Sequence, residues 1–299
     1  MGGMGHMLPI LKPETLRDSF AARAGLSEPW NFSGVDCPNL GTSGAALRRL
    51  LLPAFLAMAA GPAAAGAAEN DPGTNAPAIV ILNPPGQGFF SKQLDFHGIP
   101  IKAHACVADE ALRAAYGRLA RMLANLPAER ARLAAAGAEL HVIGRDQVTT
   151  DLPEWRHDKG KKLEEYHGLT RDERTRGMGG LLTSCGEENL LKLEKDRYRG
   201  SDICAHEFAH NIRNYGMSRE VRERFDAQFR RSLEQGHWVQ SYAGSNPDEF
   251  FAELSMWYFG MHGELRMSGP KPADGPEGLK KYDPEAFALM DGYYRGRLP

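Results

Sequence analysis

Ser201-Asp202-Ile203-Cys204-Ala205-His206-Glu207-Phe208-Ala209-His210-Asn211 is the stretch on which the reading of this chain turns. Ser201 or Asp202 can cap a helix that carries the segment to about Tyr215, and Gly216 suits its stop. On such a helix, residues four apart lie on one face a turn apart, so the imidazoles of His206 and His210 can reach one ion. Glu207 follows the first His and can sit beside a metal-held water as general base. Zinc would lower that water's pKa toward about 7 and polarise a carbonyl under attack. Phe208 and Ala209 face the other way and suit burial. Cys204 is about 200° around the helix from His206 and cannot easily share the ion. Composition alone produces the five-residue pattern in roughly one or two such chains per hundred, so its setting decides.

A catalytic zinc takes three protein ligands and keeps a fourth position open. No third His follows at the short Gly-x-x-His spacing. The downstream candidates are His237, His262 and the acidic turns of Asn246-Pro247-Asp248-Glu249-Phe250-Phe251-Ala252-Glu253. Asn at a cap followed by Pro in the first turn is a strong start signal, and that helix should run to Phe259 and stop at Gly260. Glu249 and Glu253, four apart, put two carboxylates on one face, with Phe250, Leu254 and Tyr258 opposite. A polar pair in so apolar a helix needs partners if buried. Zinc for one carboxylate and a ligating His for the other would satisfy both.

These two segments resemble the catalytic domain of anthrax toxin lethal factor and related secreted bacterial gluzincin-type peptidases. The match rests on His206-Glu207-Phe208-Ala209-His210, and on Tyr242, six residues, then Glu249-Phe250-Phe251-Ala252-Glu253. It is close over 201–260, with a weaker likeness from Gly179-Gly180 through Leu191. The resemblance implies that Glu249 is the third zinc ligand. It also implies that Glu253 accepts a hydrogen bond from a ligating His, and that Tyr242 turns its phenol to the site to stabilise an oxyanion. Tyr O–H is a suitable donor to a developing alkoxide, and metal-bound His commonly donates its other N–H to a carboxylate. The toxin's large partner-binding and docking domains have no room here, so its substrate is not carried over.

Working outward, the apolar fraction of 42% and charged fraction of 25% are ordinary for a soluble globular protein. A formal charge of −2 and the lack of a dense basic patch argue against nucleic acid. Lys159-Gly160-Lys161-Lys162, followed by Glu164 and Glu165, reads as a solvated loop. Residues 1–45 are rich in Gly and Pro without sustained period and read as an extension with little fixed structure, or one from a mis-assigned start. Residues 46–69 run from Arg48-Arg49 through a short apolar centre to a small-residue stretch, the order of a secretory signal. That centre is too short and too interrupted by Pro and Gly for a span of about 20 residues. Its internal position is odd for a signal, which a start codon assigned too far upstream would explain; the competing reading is a buried Ala-rich helix. The expectation is a secreted or periplasmic protein without stable membrane insertion after signal removal. Of the cysteines remaining, Cys106, Cys185 and Cys204, the preferred disulfide in an exported chain is Cys185 with Cys204.

Residues 70–299 should form one domain. Ala78–Leu82, Ile99–Ala103 and Leu140–Gly144 read as strands, and Gly179–Leu182 as the start of another. Asp109–Leu126 has helical spacing, and Pro127 opens a second helical segment to about Ala136. Residues 146–179 are polar and poorly periodic, a long loop of the kind that often borders function. Within it Asp151 to Trp155 are an unsupported candidate for a cleft wall. Glu187 and Glu188 read most simply as surface charge. His97, His104, His141, His157 and His167 lack metal spacing and read as structural or solvated. Ser218 can cap a helix with the apolar stripe Val221, Phe225, Phe229 and Leu233, and Asp283-Pro284 opens a last helix to about Tyr294. Strands first and helices later predict an α+β, zincin-like metallopeptidase domain: a small mixed sheet and a helical C-terminal half carrying the active-site helix. The expected chemistry is hydrolysis of a peptide or protein substrate with one Zn2+ per chain, using His206, His210 and Glu249 as ligands and Glu207 and Tyr242 in catalysis. A non-catalytic zinc-containing binding module and a zinc amidase acting on a non-protein substrate are the competing readings.

Overall fold

Six strands form one mixed sheet in the order β1-β2-β3-β4-β6-β5 in the computed structural model, which describes residues 76–261, 267 and 269–298. They are β1 (Val80–Gly86), β2 (Phe90–Phe96), β3 (Ile99–Ala103), β4 (Glu139–Ile143), β5 (Gly177–Met178) and β6 (Leu182–Gly186). β1, β2 and β3 run antiparallel in turn, β3, β4 and β6 are parallel, and β5 returns antiparallel along β6 as the sheet edge. The proposed extension at 1–45, the signal-like segment at 46–69, and His262 lie outside the described residues. Among the described residues no helix is long and apolar enough to cross a membrane.

The helices are α1 (Asp109–Met122), α2 (Pro127–Ala136), α3 (Ile203–Asn211), α4 (Arg219–Glu234), α5 (Pro247–Tyr258), α6 (Gly275–Tyr282) and α7 (Pro284–Tyr294), with single turns at Arg171–Arg174 and Glu187–Leu190. α1 packs on β2 and β3, and α3 packs on β6 and α1. Strand alternation supplies one side of the core with Leu94, Ile99, Ile101, Leu140 and Val142; α1, α3 and α5 supply Leu112, Leu119, Phe208, Phe250 and Trp257. The expected caps form: Asp202 accepts from Ala205 N, Ser218 from Val221 N, Asn246 from Asp248 N and Glu249 N, and Asp283 from Ala286 N.

The opposite sheet face is covered by the 146–179 region. Ile143, Phe90 and Phe89 meet Leu152 and Trp155 there. His141, fully buried on β4, lies between Glu154 at 2.6 Å and Glu139 at 2.8 Å, and Lys102 Nζ sits 2.6 Å from both Glu139 oxygens. Burial opposes the imidazole's charge, yet the two carboxylates outweigh it and raise its pKa. The long loop is thus anchored to the sheet by charge as well as by apolar contact.

Two expectations are corrected. Glu187 and Glu188 are buried, not surface charge. Glu187 accepts from Ala108 N, Arg145 N and Arg145 Nη2, and Glu188 holds Arg176 through paired contacts of 2.7 and 2.6 Å. Each buried carboxylate is therefore met by charged and backbone donors, as burial demands. Cys185 and Cys204 are neighbours but not bonded: both are fully buried free thiols on facing surfaces of β6 and α3. They pack as small apolar side chains, and burial followed by the Cys204 neighbour pushes the Cys185 thiol well up.

Candidate metal centre

α3 lies on the sheet with its His-bearing face turned to α5. Its first turn is secured twice, by the Asp202 cap and by Asn189, whose Oδ1 accepts from Ile203 N at 2.8 Å while its Nδ2 donates to Ser201 O. At the other end Asn211 Nδ2 donates to Leu181 O and Thr183 Oγ1, tying the helix to β6. A π-helical turn, Ile212–Gly216, then ends it. From that turn Arg213, almost fully buried, reaches Asp248 Oδ1 at 2.6 Å and pairs with Asp226. Arg213 therefore fixes the first turn of α5, and with it Glu249, against α3.

Three donors converge between the helices. His206 Nε2 and His210 Nε2 are 3.2 Å apart, and Glu249 Oε2 is 3.2 Å from the first and 3.3 Å from the second. Zinc bonds of about 2.0–2.1 Å at the tetrahedral angle require ligand atoms about 3.3 Å apart. The near-equilateral triangle is thus one face of a tetrahedron. Glu249 Oε2 is buried without a hydrogen bond among the described residues, which a cation at the centre would relieve. These three side chains can hold a metal ion. The imidazoles hold the Glu249 carboxyl far below its usual pKa despite burial.

Glu253, one turn beyond Glu249, lies 3.1 Å from His206 Nδ1, where a carboxylate fixes the ring and leaves Nε2 free to ligate. Burial opposes charge on His206, but Glu249 and then Glu253 push its pKa well up. A metal must displace that proton, so affinity falls as pH drops through the raised imidazole pKa. Glu253→Ala should weaken zinc binding about 10- to 100-fold at constant pH, read by competition with a chromophoric chelator; unchanged affinity would remove Glu253 from this role.

Glu207 projects beside the triangle, not into it. Burial raises its carboxyl pKa, against the lowering pull of His206 and His210. Tyr242, in the loop before α5, stacks near His206 at a centroid distance of 6.0 Å and donates its phenol to Glu249 Oε1 at 3.0 Å. Burial, then Glu249 and Glu207, push the phenol's pKa well up, so it stays a donor. The sequence-predicted residues His206, Glu207, His210, Tyr242, Glu249 and Glu253 therefore stand together. His237 does not join them: it packs on Tyr282, with Nδ1 3.8 Å from Asp283.

The edge strand closes the other side. A Cβ at Gly177 would stand 2.6 Å from Ile203 Cγ2 and 3.1 Å from Glu207 Cγ; one at Gly179 would stand 2.9 Å from His210 Cβ and 3.2 Å from Glu207 Oε2. Glycine here buys the close approach of backbone to the two functional side chains. Gly179→Ala should displace them and cut kcat/KM about 100-fold, the usual cost of roughly 1 Å misplacement, with zinc content measured alongside. Activity equal to the parent would show that the edge yields instead. The sequence assigns no role to Arg213 or Gly177; Gly179 and Asn189 fall in the segment of weaker likeness, but with no function assigned to either.

No protein-family model matches the chain, and no curated protein matches it. Among solved structures, the Pro-Pro endopeptidase of Paenibacillus alvei is similar with a TM-score of 0.47 and 16% identity, over 64% of this chain and 96% of that one.

Proposed function

We propose that this chain is an exported, zinc-dependent endopeptidase of the gluzincin kind, with a zincin-like arrangement of sheet and active-site helix. The observation that carries the reading is the triangle of His206, His210 and Glu249 donors with the uncoordinated, proton-hungry Glu207 beside it. Zinc held by those three residues supplies Lewis-acid polarisation of a carbonyl and a lowered pKa for water. Glu207 takes the proton of the attacking water and returns it to the leaving amine, a task that its burial-raised pKa suits. Tyr242 donates to the oxyanion that develops, exchanging its Glu249 contact for that bond. Arg213 and Glu253 keep α5 and His206 in place.

Peptide is favoured over other amides because the site is bordered by β5, which ends the sheet order; past Gly177, whose N–H and C=O are engaged by Thr175 Oγ1, such an edge can take up an extended peptide by main-chain hydrogen bonds. A purely structural metal site has no use for Glu207 in this position. The test is incubation of the purified chain with proteome-derived peptides, with and without chelator. Metal-dependent cleavage restored by zinc is the expected result; cleavage indifferent to chelation, or none from peptides but some from murein fragments, would replace this reading.

A further inference from the structure

Three arginines occur in the six residues before β5, and they are treated differently. Arg171 is buried, bound to Asp158 by Nε and Nη2 at 3.2 and 2.7 Å and covered by Trp155, whose ring centre is 4.0 Å from the guanidinium carbon. Arg176 is held by Glu188 and by the carbonyls of Gly144 and Gln147. Arg174 lies between them, half-buried, with no side-chain hydrogen bond or ion pair among the described residues. It is three residues from Gly177 and five from Gly179, the backbone that touches Glu207 and His210.

The backbone carrying Arg174 is rigid. Thr170 and Glu173 form a reciprocal cap at the start of its turn, and Thr149 Oγ1 donates to Thr175 O just after it. The turn stands beside the centre through the chain that leads from it, since the backbone at Gly177 and Gly179 touches Glu207 and His210; in keeping with that placement, the Arg174 charge acts to lower the proton affinity of Glu207, Tyr242 and Tyr166. Tyr166 is fixed on the same side, accepting from Arg171 Nη1 at 2.7 Å. A guanidinium without a hydrogen-bond or ion-pair partner among the described residues, on a fixed turn beside two fully engaged arginines, is prepared to bind an anion with little ordering cost.

We propose that Arg174 binds a carboxylate of the substrate, making the enzyme selective for peptides that place an acidic side chain or the C-terminal carboxylate next to the scissile bond. The planar fork of Arg matches a carboxylate with two parallel bonds, and in a partly desolvated cleft such charge-assisted pairing discriminates strongly against a neutral isostere. This rests on the peptidase reading above. Because Arg174 makes no side-chain hydrogen bond or ion pair among the described residues, its replacement should leave the fold and the metal ligands intact.

The test uses the full, zinc-loaded chain and peptides that differ only in Glu against Gln around one cleaved bond, or in a free against an amidated C-terminus. The first contrast reports an acidic side chain and the second a terminal carboxylate. One of them should show kcat/KM about 10- to 100-fold higher for the acid. Arg174→Gln should erase that preference, lowering kcat/KM far more for the acid than for its neutral isostere, and Arg174→Glu should turn it toward Lys. An equal loss on every peptide, or a preference that survives in Arg174→Gln, would overturn the assignment. If no peptide is cleaved, the peptidase reading fails separately, and Arg174 is read by calorimetry on zinc-loaded Glu207→Gln with N-acetylglutamate and N-acetylglutamine as probes. Tighter binding of the glutamate that Arg174→Gln removes supports the carboxylate site; equal binding of the two probes overturns it.

Discussion

Glu207→Gln should keep one zinc per chain and lose about 10^2- to 10^4-fold in kcat. The two outcomes separate because Glu207 lies outside the His206, His210 and Glu249 triangle, so the metal loses no donor. Gln preserves shape but cannot take a proton. The carboxylate is suited to that task by burial, which raises its proton affinity against the pull of two neighbouring imidazoles. KM should move little, since the side chain acts on the water and not on the peptide. Zinc content by elemental analysis and steady-state rates decide it. Unimpaired hydrolysis by the Gln variant would remove the mechanism while leaving the metal site standing.

The second large effect is on the metal itself. His210→Ala and Glu249→Ala should each abolish stoichiometric zinc and bring turnover to background. A zinc held at a thousand times its dissociation constant adds about 4 kcal/mol of stability, so the parent's Tm should rise with zinc and fall with chelator, while both variants ignore either. Asp248→Asn is the useful contrast. Asp248 is adjacent in sequence, but its carboxylate faces Arg213 at 2.6 Å and not the triangle, so zinc should be retained. Zinc-dependent Tm in Glu249→Ala would show that another donor completes the site.

Much of this centre was legible in the chain itself. Helical spacing placed His206 and His210 on one face, the Asn246-Pro247 cap started α5 where the structure starts it, and the spacing of Glu249 and Glu253 put both carboxylates on one face of α5, which the resemblance turned toward the His-bearing helix. What spacing could not supply was anything that depends on a second element. Glu187 and Glu188 look like surface charge until Arg145 and Arg176, distant in sequence, are folded against them. Whether His141 is structural or solvated is not decided by spacing; the long loop that brings Glu154 over it makes it structural. Cys185 and Cys204, the preferred disulfide pair for an exported chain, are neighbours whose thiols are free. β2 was missed because Ser91-Lys92-Gln93 interrupts the alternation that Phe90, Leu94 and Phe96 otherwise show. α6 has no counterpart in the sequence reading; its Pro276 and Gly278 are residues that disfavour a helix interior, although Pro in a first turn is compatible with a helix.

Anomalous diffraction at the zinc edge from crystals of the zinc-loaded chain tests the central claim most directly. One peak should appear per chain, about 2.0–2.2 Å from His206 Nε2, His210 Nε2 and an oxygen of Glu249. A peak whose ligands exclude Glu249, or include His237 or His262 in its place, would contradict the account.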